Sequence, residues 1–278
     1  ARYQVHLYGS LAATGKGHLT DEAILNVLSP VAPTEIVWCP EIYLPYHPNG
    51  MKFETLDAAG NSLQQWTVYS IGGGQLSEGD STPMHHEEVY EMNTIKEIQQ
   101  WCHDTGYSYW EYVEQAEGKD IWEFLSNIWR TMVAAVERGL EGEGVLKGGL
   151  GLRRKSCEYL TKAHSYQGSM RSKGLLYAYA LATAEENAAG GIIVTAPTCG
   201  SCGVLPGVLY YLWKHHNFSE QRICRALATA GLFGTVVKKN ASISGAEVGC
   251  QGEVGVACAM AAAAAAQIYG GTVSQIEY

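Results

Sequence analysis

Apolar positions change period along the chain. In residues 3–7, Val5 and Leu7 alternate with polar neighbours, which predicts a strand. Residues 51–56 and 63–71 read as two more strands. Asp57-Ala58-Ala59-Gly60-Asn61 between them are turn formers, so the pair predicts a hairpin. Its second strand runs into Gly72-Gly73-Gly74. Between the first strand and the hairpin, Gly9-Ser10-Leu11 leads into a polar loop, Thr14-Gly15-Lys16-Gly17-His18. A helix over about 20–28 follows, with Thr20 or Asp21 as its cap. Residues 79–93 are polar and carry Met84-His85-His86-Glu87-Glu88, and the domain boundary is placed there. Beyond it the period is helical. Thr94-x-x-Glu97 is a capping box that opens a short helix ending near Gly106. Ile121, Leu125, Ile128, Met132 and Val136 mark an amphipathic helix over about 120–138. Residues 172–189, 203–216, 219–238 and 254–269 also read as helices, the last rich in alanine, and 192–195 as a short strand. The expected fold class is α+β. An N-terminal mixed α/β, sandwich-like domain (1–88) precedes a mainly α-helical domain (94–278).

Composition narrows the function. With 278 residues, 46% hydrophobic and 17% charged, the chain has ample core material and is not a disordered polymer. A net charge of -9 argues against nucleic acid as a partner, because such binders carry a basic face. The most apolar window, 254–266, is short and mostly alanine, so no membrane span is expected. The eight cysteines are scattered and no signal peptide precedes them. They read as free thiols in a reducing, cytoplasmic setting, with metal binding open to a subset. The chain starts inside a strand-like run and stops at the start of another element, so it reads as a fragment.

Several stretches carry candidate chemistry. Cys199-Gly200-Ser201-Cys202 has the spacing of a redox pair or half a zinc site, but no second C-x-x-C completes zinc. A structural turn with small buried thiols is the favoured reading, and a reversible disulfide is the competing one. His18, in its glycine-flanked loop, has the chemistry of a general base, although surface histidines of this kind are commoner. The doublets His85-His86 and His215-His216 sit at element ends and read as solvated or capping. Backbone N–H groups of Gly72-Gly73-Gly74 could hold a carboxylate or phosphate. No dinucleotide or P-loop signature is present. Glu185-Glu186-Asn187 reads as an exposed helix face. The stretch NASISGAEVGCQGEVG (240–255) holds Cys250 among small residues. That suits either a thiolate metal ligand in a shaped loop or a small-residue helix contact, and residue chemistry leaves both open.

Long words in the chain decide more. VTAPTCGSCGVLP (194–206), KKNASISGAEVGCQGEVGVACAMAAA (238–263) and ENAAGG (186–191) resemble the iron–sulfur-dependent L-serine dehydratases, or L-serine deaminases. YGSLAATGKGHLTD (8–21), HPNGMKF (47–53) and YSIGGG (69–74) resemble the same family's β domain. The resemblance implies an L-serine ammonia-lyase making pyruvate and ammonia without pyridoxal phosphate. It implies a [4Fe–4S] cluster whose open iron acts as a Lewis acid on the substrate hydroxyl. It also implies Cys250 as the first cluster ligand and His18 as the base. Gly72, Gly73, Gly74, Thr198, Gly200, Asn240, Ser242 and Ser244 are its implied substrate-binding residues. The family's other two cluster cysteines are expected beyond Tyr278, so the fragment alone is expected to be inactive. L-serine is the expected partner molecule, and a homodimer is an expectation of the resemblance only. The alternatives are a related cluster-dependent lyase acting on L-cysteine or another β-substituted amino acid, and a non-catalytic amino-acid-binding module.

Overall fold

Val5 and Leu7, the alternating pair near the start, are fully buried in β1 (Arg2–Tyr8). The computed structural model describes residues 1–79, 88–147 and 150–278. The chain forms two compact units, Ala1–Glu87 with Lys147–Gly151, and Glu88–Leu146 with Leu152–Tyr278. The doublet His85-His86 lies outside the described residues.

In the first unit, β1 is followed by α1 (Gly9–Thr14), α2 (Thr20–Leu28), β2 (Thr34–Cys39), β3 (Gly50–Leu56), β4 (Ser62–Gly72) and β5 (Gln75–Ser77). The sheet order is β2-β1-β3-β4-β5. β1 and β2 are parallel and the other pairs antiparallel. Parallel neighbours need a crossover, and α1 and α2 supply it. Val5, Leu7 and Ala12 form the centre of this core, with Leu11, Ile24, Leu28, Trp38 and Phe53 packed around them. The expected hairpin is β3–β4. Asn61 N donates to Asp57 Oδ1 at 2.8 Å, and Gly60 takes φ +90°. The Asn61 side-chain hydrogen bond holds the Asp57 carboxyl below its usual range.

Three local expectations change. Gly9–Thr14 is a helix, because Leu11 and Ala12 dock on the sheet. The residue before α2 is Leu19 at φ +59° and makes no side-chain cap, so neither Thr20 nor Asp21 caps it. The turn is closed instead by backbone, with Thr20 N donating to Gly15 O at 2.9 Å. Strands β2 and β5 add to the three that the pattern predicts.

The second unit is helical: α3 (Ile95–Thr105), α4 (Tyr109–Glu117), α5 (Ile121–Glu141), α6 (Ser156–Ser165), α7 (Gly168–Ala188), α8 (Val204–His216), α9 (Glu220–Asn240), α10 (Gly245–Ile268) and α11 (Val273–Glu277). With the sheet of the first unit, this makes the chain α+β as expected. The capping box of α3 is complete: Glu97 N donates to Thr94 Oγ1 at 3.2 Å, and Thr94 N to Glu97 Oε2 at 2.9 Å. Helix α5 buries Leu125, Met132 and Val136 of the expected stripe. Backbones approach closely where glycine allows it. A Cβ on Gly139 of α5 would overlap the Ala182 carbonyl of α7, and one on Gly203 would overlap the Ala180 carbonyl.

Helix α10 is, among the described residues, the one helix long and apolar enough by length and composition to cross a membrane. Alanine provides much of that apolarity. Ala257, Ala261 and Ala264 are buried, and the helix packs on α8 and α9. It also begins well before the expected residue 254, so most of the glycine-rich stretch is helix rather than loop. Residues 192–195 form no strand. That backbone is held from the side: Arg138 Nη2 donates to Ile192 O at 2.5 Å.

Candidate functional site

Residues 196–203 make a tight corner before α8. The Ala196–Pro197 bond is cis, and Cys199–Ser201 form one 3₁₀ turn. Ser201 Oγ donates to Ala196 O at 3.2 Å and lies 3.3 Å from Thr198 Oγ1. Asn187 Nδ2 at the end of α7 donates to Cys199 O at 3.2 Å. Thr198 and Ser201 are buried.

The start of α10 meets this corner. Thr198 Oγ1 donates to Glu253 Oε2. A Cβ on Gly200 would lie 2.5 Å from the same oxygen, and one on Gly245 would overlap Oε1. Thr198, Gly200 and Gly245 therefore meet around the Glu253 carboxylate, which occupies the space a side chain would take at either glycine. Inside α10, Gly249 takes φ +72° and breaks the helical backbone. Cys250 follows that break, exposed. Glu253 is three residues on, hence on the same helix face one turn later.

The other expected residues of this unit lie close by in sequence. Asn240 ends α9, and its Nδ2 donates to Asn93 O at 2.7 Å and Val236 O at 2.8 Å. Ser242 Oγ donates to Glu247 and accepts from Ser244 N at 3.0 Å. Ser244 is buried at the N-cap of α10.

In the first unit, His18 lies exposed in the turn between α1 and α2, its N–H donating to Gly15 O at 3.1 Å. Gly72, Gly73 and Gly74 turn the β4–β5 hairpin, at φ +100°, +59° and +81°. Positive φ at both central residues is the pattern that favours glycine in a two-residue turn. His47, from the HPNG word, is buried and accepts from Asn49 N at Nδ1 over 3.1 Å.

The thiols of the corner are protonated at neutral pH. Burial, then the charge of Glu253, pushes Cys199 up, and burial pushes Cys202 up to about 12. All eight cysteines are free. A protonated, buried Cys202 is a poor redox nucleophile, which favours the structural-turn reading there, whereas Cys199 is exposed rather than a buried thiol as that reading expects.

Glu185 and Glu186 are not an exposed face. Both are buried. Glu185 accepts from Lys155 N at 2.6 Å and Ser156 Oγ at 2.8 Å. Glu186 pairs with Arg138 at 3.1 Å and Arg154 at 3.2 Å. Their partners lie roughly thirty to fifty residues away in sequence, so no local pattern reveals them. Glu253 was equally hidden, its only signature being the three-residue offset from Cys250.

One cavity stands apart from this chemistry and another borders it. One, of about 840 Å³, separates α2 from the sheet in the first unit and is lined largely by apolar residues such as Val5, Ile24, Phe53 and Trp66. The other, of about 460 Å³, abuts the 3₁₀ turn at Gly200 and Ser201, with Tyr159, Tyr177 and Val254 as walls. Among the described residues no group of three His, Cys, Asp or Glu side chains is placed to hold a metal.

Comparison with known proteins follows the two units. The family model described as serine dehydratase alpha chain matches residues 65–278. The one described as serine dehydratase beta chain matches 1–37 and 30–81. The L-serine dehydratase of Streptomyces coelicolor is 37% identical, over 100% of this chain and 71% of its own. L-serine dehydratase 1 of Escherichia coli is 36% identical, over 99% and 71%. The L-serine dehydratase of Helicobacter pylori is 32% identical, over 99% and 71%.

Proposed function

The chain belongs to the serine dehydratase family, and from that premise we propose that it works as an L-serine ammonia-lyase, releasing pyruvate and ammonia from L-serine. The reading is supported most by the meeting of the 3₁₀ corner with the start of α10. There Thr198 and Gly200, two of the residues that the family resemblance assigns to substrate, converge on one carboxylate beside Cys250.

The proposed roles follow from side-chain chemistry. His18 takes the α-proton of serine on an imidazole nitrogen. Departure of the β-hydroxyl as water then leaves 2-aminoacrylate. That enamine tautomerises to the imine, and hydrolysis gives pyruvate and ammonia. Thr198, Ser242, Ser244 and Asn240 supply neutral donors and acceptors, and Gly200 gives close backbone approach. Gly72, Gly73 and Gly74 offer backbone N–H groups to the substrate carboxylate.

An iron–sulfur cluster is the expected cofactor. Cys250 fits one ligand position, being an exposed thiol just after the backbone break at Gly249. The described residues do not assemble a three-ligand set around it. When bound, such a cluster supplies a Lewis-acidic iron that polarises a hydroxyl. Free thiols throughout the chain suit a reducing, cytoplasmic setting.

The test is pyruvate release from L-serine by the longest natural form of the protein, after anaerobic treatment with iron and sulfide. Activity that disappears in Cys250→Ala and after exposure to air is the expected outcome. A cluster-loaded protein that releases no pyruvate would overturn the reading.

A further inference from the structure

Glu253 differs in its surroundings from the carboxylates that hold a cation. Glu186 has two arginines, and Glu54 has Lys52 and His6. Glu253 is half-buried, yet among the described residues no lysine, arginine or histidine pairs with it. Its one side-chain partner is the neutral hydroxyl of Thr198. Its two oxygens pack against Gly200 and Gly245, in the places a Cβ would take at those positions. A half-buried carboxylate with one neutral side-chain donor among the described residues, on the same helix face as Cys250, keeps acceptor capacity for a cation.

L-serine carries three polar groups. Hydroxyls and backbone N–H groups suit its carboxylate and its hydroxyl, whereas its α-ammonium calls for an anion. Thr198, Gly200, Asn240, Ser242 and Ser244 are all neutral. The nearby Glu247 is exposed and accepts from Ser242. We propose that Glu253 receives the α-ammonium of the substrate and so selects amino acids over hydroxy acids of the same shape. This rests on the reading that L-serine is the substrate. Charge-assisted hydrogen bonds are the stronger kind, and a half-buried one is less screened than one at the surface.

The test compares L-serine with 3-hydroxypropionate, which has hydrogen in place of the ammonium. Binding of each to the full protein is measured by calorimetry. Wild type is expected to bind L-serine the more tightly. Glu253→Gln keeps the shape and the Thr198 contact but not the charge. It should weaken L-serine by about 10- to 100-fold and leave 3-hydroxypropionate unchanged or tighter. Glu253→Asp should keep part of the preference. Equal weakening of both ligands would make Glu253 a structural brace and overturn the proposal, as would an undiminished affinity for L-serine. Wild type alone decides if the variant does not fold: no preference for L-serine overturns the proposal. Pyruvate release is read separately on the same wild-type protein. Selective binding without pyruvate would leave Glu253 in place and sink the lyase reading instead.

Discussion

Arg138 reaches Glu186 and the Ile192 carbonyl at once, its Nε 3.1 Å from Glu186 Oε2 and its Nη2 2.5 Å from Ile192 O. One guanidinium thus ties the end of α7 to the strand-less stretch that leads to Thr198. On the other side of the carboxylate, the Arg154 side chain is only 12% exposed and Glu186 only 10%, so this pair is shielded from water. Glu186→Ala strands Arg154 without its counter-ion and should cost about 3 kcal/mol, read as a shift in urea midpoint. Replacing both partners, Glu186→Leu with Arg154→Met, should recover most of that loss. A single variant with an unchanged midpoint would show that the pair carries no stability.

Cys202 contributes to an alkaline loss of stability in the helical unit. Burial raises its thiol from 9.0 to about 12, the neighbouring Cys199 adding to the shift. In the unfolded chain the thiol ionises near 9.0, whereas the fold keeps it protonated. Its contribution is therefore complete below pH 9 and is lost as pH rises through about 12. Cys202→Ala should flatten the alkaline fall in stability over that window. In the folded protein at neutral pH, iodoacetamide followed by mass spectrometry should label the exposed Cys250 and Cys258 well before Cys202.

Gly74 separates backbone strain from crowding. It takes φ +81°, and a Cβ there meets nothing within 4 Å. Gly74→Ala should therefore cost about 1 kcal/mol through conformation alone, and Gly74→Asn less, because Asn enters the left-handed region more readily. Thermal unfolding of the two variants compares them directly.

His18 is exposed, with no side-chain hydrogen bond among the described residues, so its removal should leave the fold intact. His18→Asn is expected to lower kcat by about 100- to 10,000-fold with an unchanged melting temperature. A variant that keeps wild-type kcat would remove His18 from the role of base.

The elements legible from the chain share one property: their determining contacts are local. Asp57 and Asn61 close the β3–β4 turn across four residues, and Thr94 and Glu97 close the α3 capping box across three. The stripe from Leu125 to Val136 repeats within a single helix. Helix α1 is not legible in the chain, because its six mostly small residues show no period, and it exists through contact with the sheet. The start of α10 was missed because glycine lowers helix propensity, a weak local preference that packing against the 3₁₀ corner overrides.

The amino-acid sequence by itself determined the family, through long words in a characteristic order, and with it the cysteine and histidine worth testing. It also determined the hairpin, the capped helix and the α+β division, since hydrogen bonds between near neighbours and apolar periodicity are written in consecutive residues. Only the tertiary structure decided which carboxylates leave water and what meets them there. Glu186 between two arginines and Glu253 between two glycines both read as ordinary acidic residues, because desolvation and charge pairing depend on residues tens of positions away.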